Sequence, residues 1–99
     1  MTHYRLEANV AVELDVEAAF EWYEAEETSL GVLFLEELRS TYQRILDNPL
    51  AFQEIRSGIR RALTRKFPYA IYFVIESQTI LIIAVFHTAR DPEEWQKRA

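Results

Sequence analysis

The first residues alternate. Tyr4, Leu6, Ala8 and Val10 are apolar, and His3, Arg5, Glu7 and Asn9 between them are polar. A period of two with one apolar face predicts an opening strand within residues 3–14. Asp15 is then a suitable N-cap, because a short carboxylate there can accept an unpaired N–H of the first helical turn. Leu14, Ala18, Ala19, Trp22 and Tyr23 recur at helical spacing, with Glu17, Glu21, Glu24 and Glu27 on the other side. This pattern predicts an amphipathic helix of about three turns. Thr28-Ser29 can cap a second helix, whose stripe is Leu30, Leu33, Phe34, Leu38, Tyr42, Ile45 and Leu46. Asn48-Pro49 ends it, since a residue before proline is driven out of the helical region. So short a break between two helices predicts an antiparallel hairpin.

Residues 49–58 read as a connector closed by Gly58. Three strand signals follow at 59–65, 69–76 and 79–87. The last two, YAIYFVIE and TILIIAVFH, are almost continuously apolar, so both of their faces should be covered. The polar turn Glu76–Thr79 predicts a hairpin between them. Asp91 can cap a last helical turn with Pro92 in its first position, where a missing N–H costs nothing. The expected order is β-α-α-β-β-β. It corresponds to an α+β fold, an antiparallel sheet with the α-helical hairpin packed on one face. Ninety-nine residues are expected to make a single domain, 1–99.

Composition narrows the chemistry. The absence of cysteine removes disulfides, thiolate metal sites and thiol nucleophiles. His3 and His87, far apart, make a poor basis for a metal site, so neither metal nor cofactor is expected. No apolar run is long enough to span a bilayer, and the N-terminus lacks a signal-peptide pattern; a soluble, cytoplasmic protein is expected. The net charge of −5 conceals an asymmetry. Residues 1–54 hold three basic residues against twelve acidic, whereas residues 55–99 hold eight basic against four acidic. The acidic total weighs against strong non-specific nucleic-acid binding, which rests on phosphate neutralisation. The basic half can still carry a patch for an acidic partner.

Two groups of residues are candidates for function. One is the cluster Arg56, Arg60, Arg61, Arg65 and Lys66, which is either a solvated edge strand protected by charge or a patch for an acidic peptide or nucleic acid. The other is the stretch AVFHTARDPEEW, residues 84–95. His87 there can act as a general base, Arg90 can stabilise a phosphate or oxyanion, and Asp91 can orient His87 or cap the turn. The plainer readings are a histidine bonded to backbone, an arginine paired with helix carboxylates, and Trp22 and Trp95 as packing residues. No Ser-His-Asp set and no glycine-rich phosphate loop is present, so the residues alone do not establish an enzyme.

Four pieces in order resemble the RelE/ParE superfamily of small toxins, in its ParE-like, plasmid-stabilisation branch. VELDVEAAFEWYEAEETSLGVLFLEEL is similar to that branch's first helix and its glycine-marked entry to the second. ILDNPLAF resembles the end of the second helix, IRRALTRKFPYAIYFVI the second and third strands, and AVFHTARDPEEWQKR the closing strand and tail. The resemblance implies the toxin of a type II toxin–antitoxin pair, held by a cognate antitoxin whose disordered tail folds on contact. Homo-oligomers would arise through that toxin–antitoxin complex. It also implies one of two activities, inhibition of DNA gyrase by binding or ribosome-dependent cleavage of mRNA.

Within the resemblance, the ribonuclease branch has an arginine after a tyrosine in its third strand. Here Ala70 follows Tyr69, and alanine supplies no cation. That branch ends on a tyrosine or a His-Tyr pair, where this chain offers Trp95. The expectation is therefore a gyrase-binding toxin whose target surface comprises Arg60, Arg61, Arg65, Arg90 and Trp95. The alternatives are a ribosome-dependent endonuclease using His87, Arg90 and Arg61, and a degenerate module that only binds its antitoxin.

Overall fold

The computed structural model describes residues 3–90 and 94–98. Strand β1 (Arg5–Ala8) leads into helix α1 (Val10–Glu26) and helix α2 (Leu30–Asp47). A 3-10 turn at Pro49–Ala51 precedes β2 (Glu54–Arg56), β3 (Ile59–Leu63), β4 (Tyr69–Glu76) and β5 (Thr79–His87), and a second 3-10 turn spans Glu94–Arg98. The order in the sheet is β1-β5-β4-β3-β2. This is the expected α+β layout with two differences. The connector contributes the short edge strand β2, and β1 lies parallel to β5, so the sheet is mixed. The parallel pair arises because the whole helical hairpin intervenes between β1 and the meander, making a crossover rather than a tight turn.

Helix α1 begins five residues before the expected cap. Asn9 is its N-cap, and its side-chain oxygen accepts the Val12 N–H at 3.1 Å. Asp15 therefore lies inside the helix, where its carboxylate is free for tertiary contacts. The helices cross closely at Gly31. A Cβ there would come within 2.6 Å of Glu24 Cγ, and the Gly31 N–H donates to Glu24 Oε1 at 2.8 Å. Helix α2 stops at Asp47 as Asn48-Pro49 requires. Of its expected stripe, Phe34, Leu38 and Ile45 are buried while Leu33 is exposed. The expected cap at Asp91 and the proline at 92 lie outside the described residues.

Two apolar layers cover the sheet. On the helix side, Val12, Leu38 and Ile45 pack on Ala62, Ile71, Phe73, Ile80, Ile82 and Val85. On the other side, Ile59, Ala70, Tyr72, Ala84 and Phe86 are covered by Trp95 of the C-terminal turn. The third group joins the helices to the β3–β4 turn through edge contacts among Tyr23, Phe34, Phe67 and Tyr69. A β-bulge decides which residues of β5 face which layer. Tyr72 pairs with Ala84 but Phe73 pairs with Ile82, which leaves Ile83 as the extra residue. The inserted residue reverses the alternation. Ile80 and Ile82 face the helices before it, and Val85 faces them after it.

Candidate functional site

The end of the sheet is where the chemistry-bearing residues of the tail meet the helices. Strand β1 accompanies β5 only as far as Ile82, so the outer edge of β5 continues without a strand beside it. Helix α1 supplies part of what is missing. Asp15 accepts the Val85 N–H at 3.1 Å, and the same carboxylate takes both terminal nitrogens of Arg98, at 2.6 and 3.0 Å. Arg98 also donates to the Ile83 carbonyl at 3.2 Å. A bidentate pair of this kind is strong because both partners are ionised and geometrically matched. The bond to Asp15 is the main cause that raises the Arg98 pKa above its ordinary value. One carboxylate thus ties helix, sheet edge and C-terminal turn together.

A groove of about 440 Å³ opens beside this junction. Leu14, Ala18 and Trp22 of α1 form one wall; Tyr69, His87 and Arg90 form the other. The His87 ring packs edge-on against Tyr69 with centroids 5.4 Å apart. Its Nδ1 accepts the Ala89 N–H at 3.0 Å, which leaves Nε2 as the outward donor. The Tyr69 phenol is pushed up by burial and by Tyr23, with Arg90 acting the other way. Arg90 lies over the Phe86 ring at 3.9 Å and meets Glu94 at 2.6 Å. Asp91, the other expected member of this stretch, lies outside the described residues.

The residues expected on the target surface separate on folding. Arg60 lies on the helix side and is occupied, with Nη1 donating to the Phe52 carbonyl at 2.6 Å and Nη2 3.5 Å from Glu54. Arg61 lies on the opposite face, level with Tyr72 across the β3–β4 pair. Arg65 is exposed just beyond β3, where its backbone N–H donates to Glu37 at 2.9 Å. Trp95 is only 6% exposed and stacks on Tyr72, with rings 5.2 Å apart and 15° from parallel. It is part of the tail's packing, as the plainer reading has it. The structure brings His87 and Arg90 to one groove. Arg61 is two strands away on the other side of the sheet.

Reading the sequence alone overlooks three residues here. Asp15 passes for a cap, Arg98 draws no attention, and Trp22, expected to pack, is 60% exposed. The available signal is circumference: apolar residues of α1 occupy more of the helix surface than its contact with the core requires. Val12, Ala19 and Tyr23 are buried, yet Val10, Leu14 and Trp22 form a second line.

Comparison with known proteins agrees with this architecture. Residues 7–92 match the family model described as ParE toxin of type II toxin-antitoxin system, parDE. Among solved structures, the chromosomal ParDE TA system from P. aeruginosa superposes with a TM-score of 0.76 at 11% identity. That match covers 86% of this chain and 96% of the other. No curated protein sequence matches.

Proposed function

The chain belongs to the ParE toxin family of type II toxin–antitoxin systems, and from that membership we propose that it is neutralised by a cognate antitoxin and acts, when free, by binding DNA gyrase. The observation that carries this reading is the dispersal of the groups that RNA cleavage would need. A nuclease must assemble a base, an acid and a cation around one phosphate. Here Ala70 is buried without a charge to offer, and Trp95 is packed against Tyr72. Arg61 stands on the sheet face opposite His87. What the chain presents instead is positive charge spread along the meander and tail, Arg61 on the sheet face opposite the helices and Arg65 beside Glu37 of α2. Arg61, Arg65 and Lys97 have no side-chain partner among the described residues, and Arg56 donates to Gln96 beside them. Such a surface suits an acidic patch on a protein target.

Induction in cells tests this. Growth arrest with loss of gyrase supercoiling activity is the expected outcome. Arg61→Ala combined with Arg65→Ala should reduce toxicity by about tenfold or more, since charged contacts at an interface are each worth on the order of 1 kcal/mol. The unfolding midpoint should hardly move. Codon-phased cuts in primer extension would instead establish the ribonuclease reading, and full toxicity of the double variant would remove the basic face from the target surface.

A further inference from the structure

A second apolar cleft, on the opposite side of α1 from Trp22, runs along the outer face of the helical hairpin. Val12, Val16 and Phe20 recur at four-residue intervals on α1, and Leu35, Leu38 and Tyr42 face them from α2. The cleft encloses about 440 Å³, and the charged residues that line it are Glu13 and Glu17, on the α1 lip. The α2 lip carries the opposite sign. Arg39 is exposed, lies one turn on from Leu35, and has no side-chain partner among the described residues. Glu36, three residues before it, belongs to the other side of the helix, where it lines a hollow with Lys66 and Phe67. The two charges also stand at matching heights. The hairpin closes where Gly31 meets Phe20 and Glu24. Its helices run antiparallel, so Arg39, eight residues along α2 from that contact, is level with Glu13 to Glu17, about eight residues back along α1.

We propose that this face pairs two copies of the chain as a four-helix bundle, directly rather than through a toxin–antitoxin complex. A two-fold axis along the cleft lays α1 of one copy over α2 of the other and leaves positions along the cleft unchanged. Arg39 of each copy then falls between Glu13 and Glu17 of its partner, twice per dimer. An axis across the cleft would instead set α1 on α1 and bring the acidic lips together. Charge also selects a second copy over a single helix of uniform charge from another protein. A basic helix satisfies the α1 lip and repels Arg39, and an acidic one does the reverse. Size sets the strength. A face about 25 Å long, the length of the 17 residues of α1, and about 20 Å wide gives roughly 1,000 Å² for the two copies together. That is near the lower limit of specific interfaces, so a reversible dimer of micromolar affinity is expected.

Sedimentation equilibrium of the full chain, freed of any bound protein, tests this. At about 100 μM the wild type should sediment at twice its 11.7 kDa and dissociate on dilution. Added salt should weaken the dimer, because its charge pairs lie at the rim of the interface. One variant is Arg39→Glu; the other combines Glu13→Arg with Glu17→Arg. Both should fold normally by circular dichroism, because all three side chains are exposed. Each should dimerise at least about tenfold more weakly than wild type. Mixed in equal amounts, the two variants should dimerise as wild type does, since every lip then meets its opposite. A folding defect cannot be repaired in that way. A wild type that stays monomeric at that concentration overturns the proposal. So does a dimer that Arg39→Glu leaves intact; if Trp22→Ala dissociates it instead, the pairing belongs to the other side of α1. A mixture that remains monomeric would likewise remove the lip-to-lip pairing.

Discussion

Removing the Asp15 carboxylate would leave the Val85 N–H, the Arg98 guanidinium and a sheet edge without their common partner. The side chain of Asp15 is only 7% exposed, so little water can take its place. Asp15→Ala is therefore expected to destabilise the fold by about 3 kcal/mol, the scale for breaking a largely buried ion pair. Denaturant unfolding would check this, and a loss below about 1 kcal/mol would mean that the tail is held by its packing alone. Tyr42 gives a second prediction. Burial first, and then the nearby negative charge of Asp15, push its phenol up to about 12. A group whose pKa is raised in the folded state contributes stability that is fully present below its unfolded value. That stability is lost as pH rises from about 10 to about 12. The loss should be about 2 kcal/mol across that window, and Tyr42→Phe should flatten the slope there. An equal slope in wild type and variant would assign the alkaline transition to other groups.

Among the elements, the C-terminal 3-10 turn does the most for its length. Trp95 closes the second apolar layer over Tyr72, with Phe86 next to it and Arg90 and Arg98 both over the Phe86 ring. Trp95→Ala should cost about 3 kcal/mol and expose that layer, detected as a lowered unfolding midpoint with increased binding of a hydrophobic dye. An unchanged midpoint would show that the turn only rests on the sheet. Several boundaries were legible beforehand because local chemistry sets them. Proline at 49 ends α2, and the Glu76–Thr79 turn separates β4 from β5. The start of α1 was not legible. Tyr4 to Val10 alternate as a strand does, and that pattern conceals Asn9 as the cap. Helical spacing correctly grouped Leu14, Ala18 and Trp22, but spacing says which residues share a face and not whether anything covers it.

For the molecule as a whole, the uneven charge along the chain becomes an uneven charge in space. The hairpin carries Glu13, Glu17, Glu21 and Glu36 at exposed positions, while the exposed cations Arg56, Arg65 and Lys97 belong to the meander and tail. An apolar groove with an acidic outer rim therefore lies beside α1, and the positive charge is spread over the meander and tail. The Asp15–Arg98 pair links them, since it joins the helix that walls the groove to the turn that covers the other face. Among the described residues, no helix is long and apolar enough to cross a membrane.

The sequence by itself determined the two helices, the three strands of the meander, the α+β class and the concentration of positive charge in the second half. Each depends on neighbours a few residues apart: periodicity, proline geometry and turn chemistry. Only the tertiary structure decided that β1 runs parallel to β5, that the bulge at Ile83 turns Val85 toward the helices, and that Arg60 and Trp95 are spent on internal contacts. These outcomes depend on residues far apart in the chain, such as Asp15 and Arg98, whose contact no local pattern encodes. The stretch AVFHTARDPEEW illustrates the difference. Its sequence offers a histidine and an arginine that resemble an active site, and folding gives them separate tasks, the His87 ring against Tyr69 and the Arg90 guanidinium over Phe86.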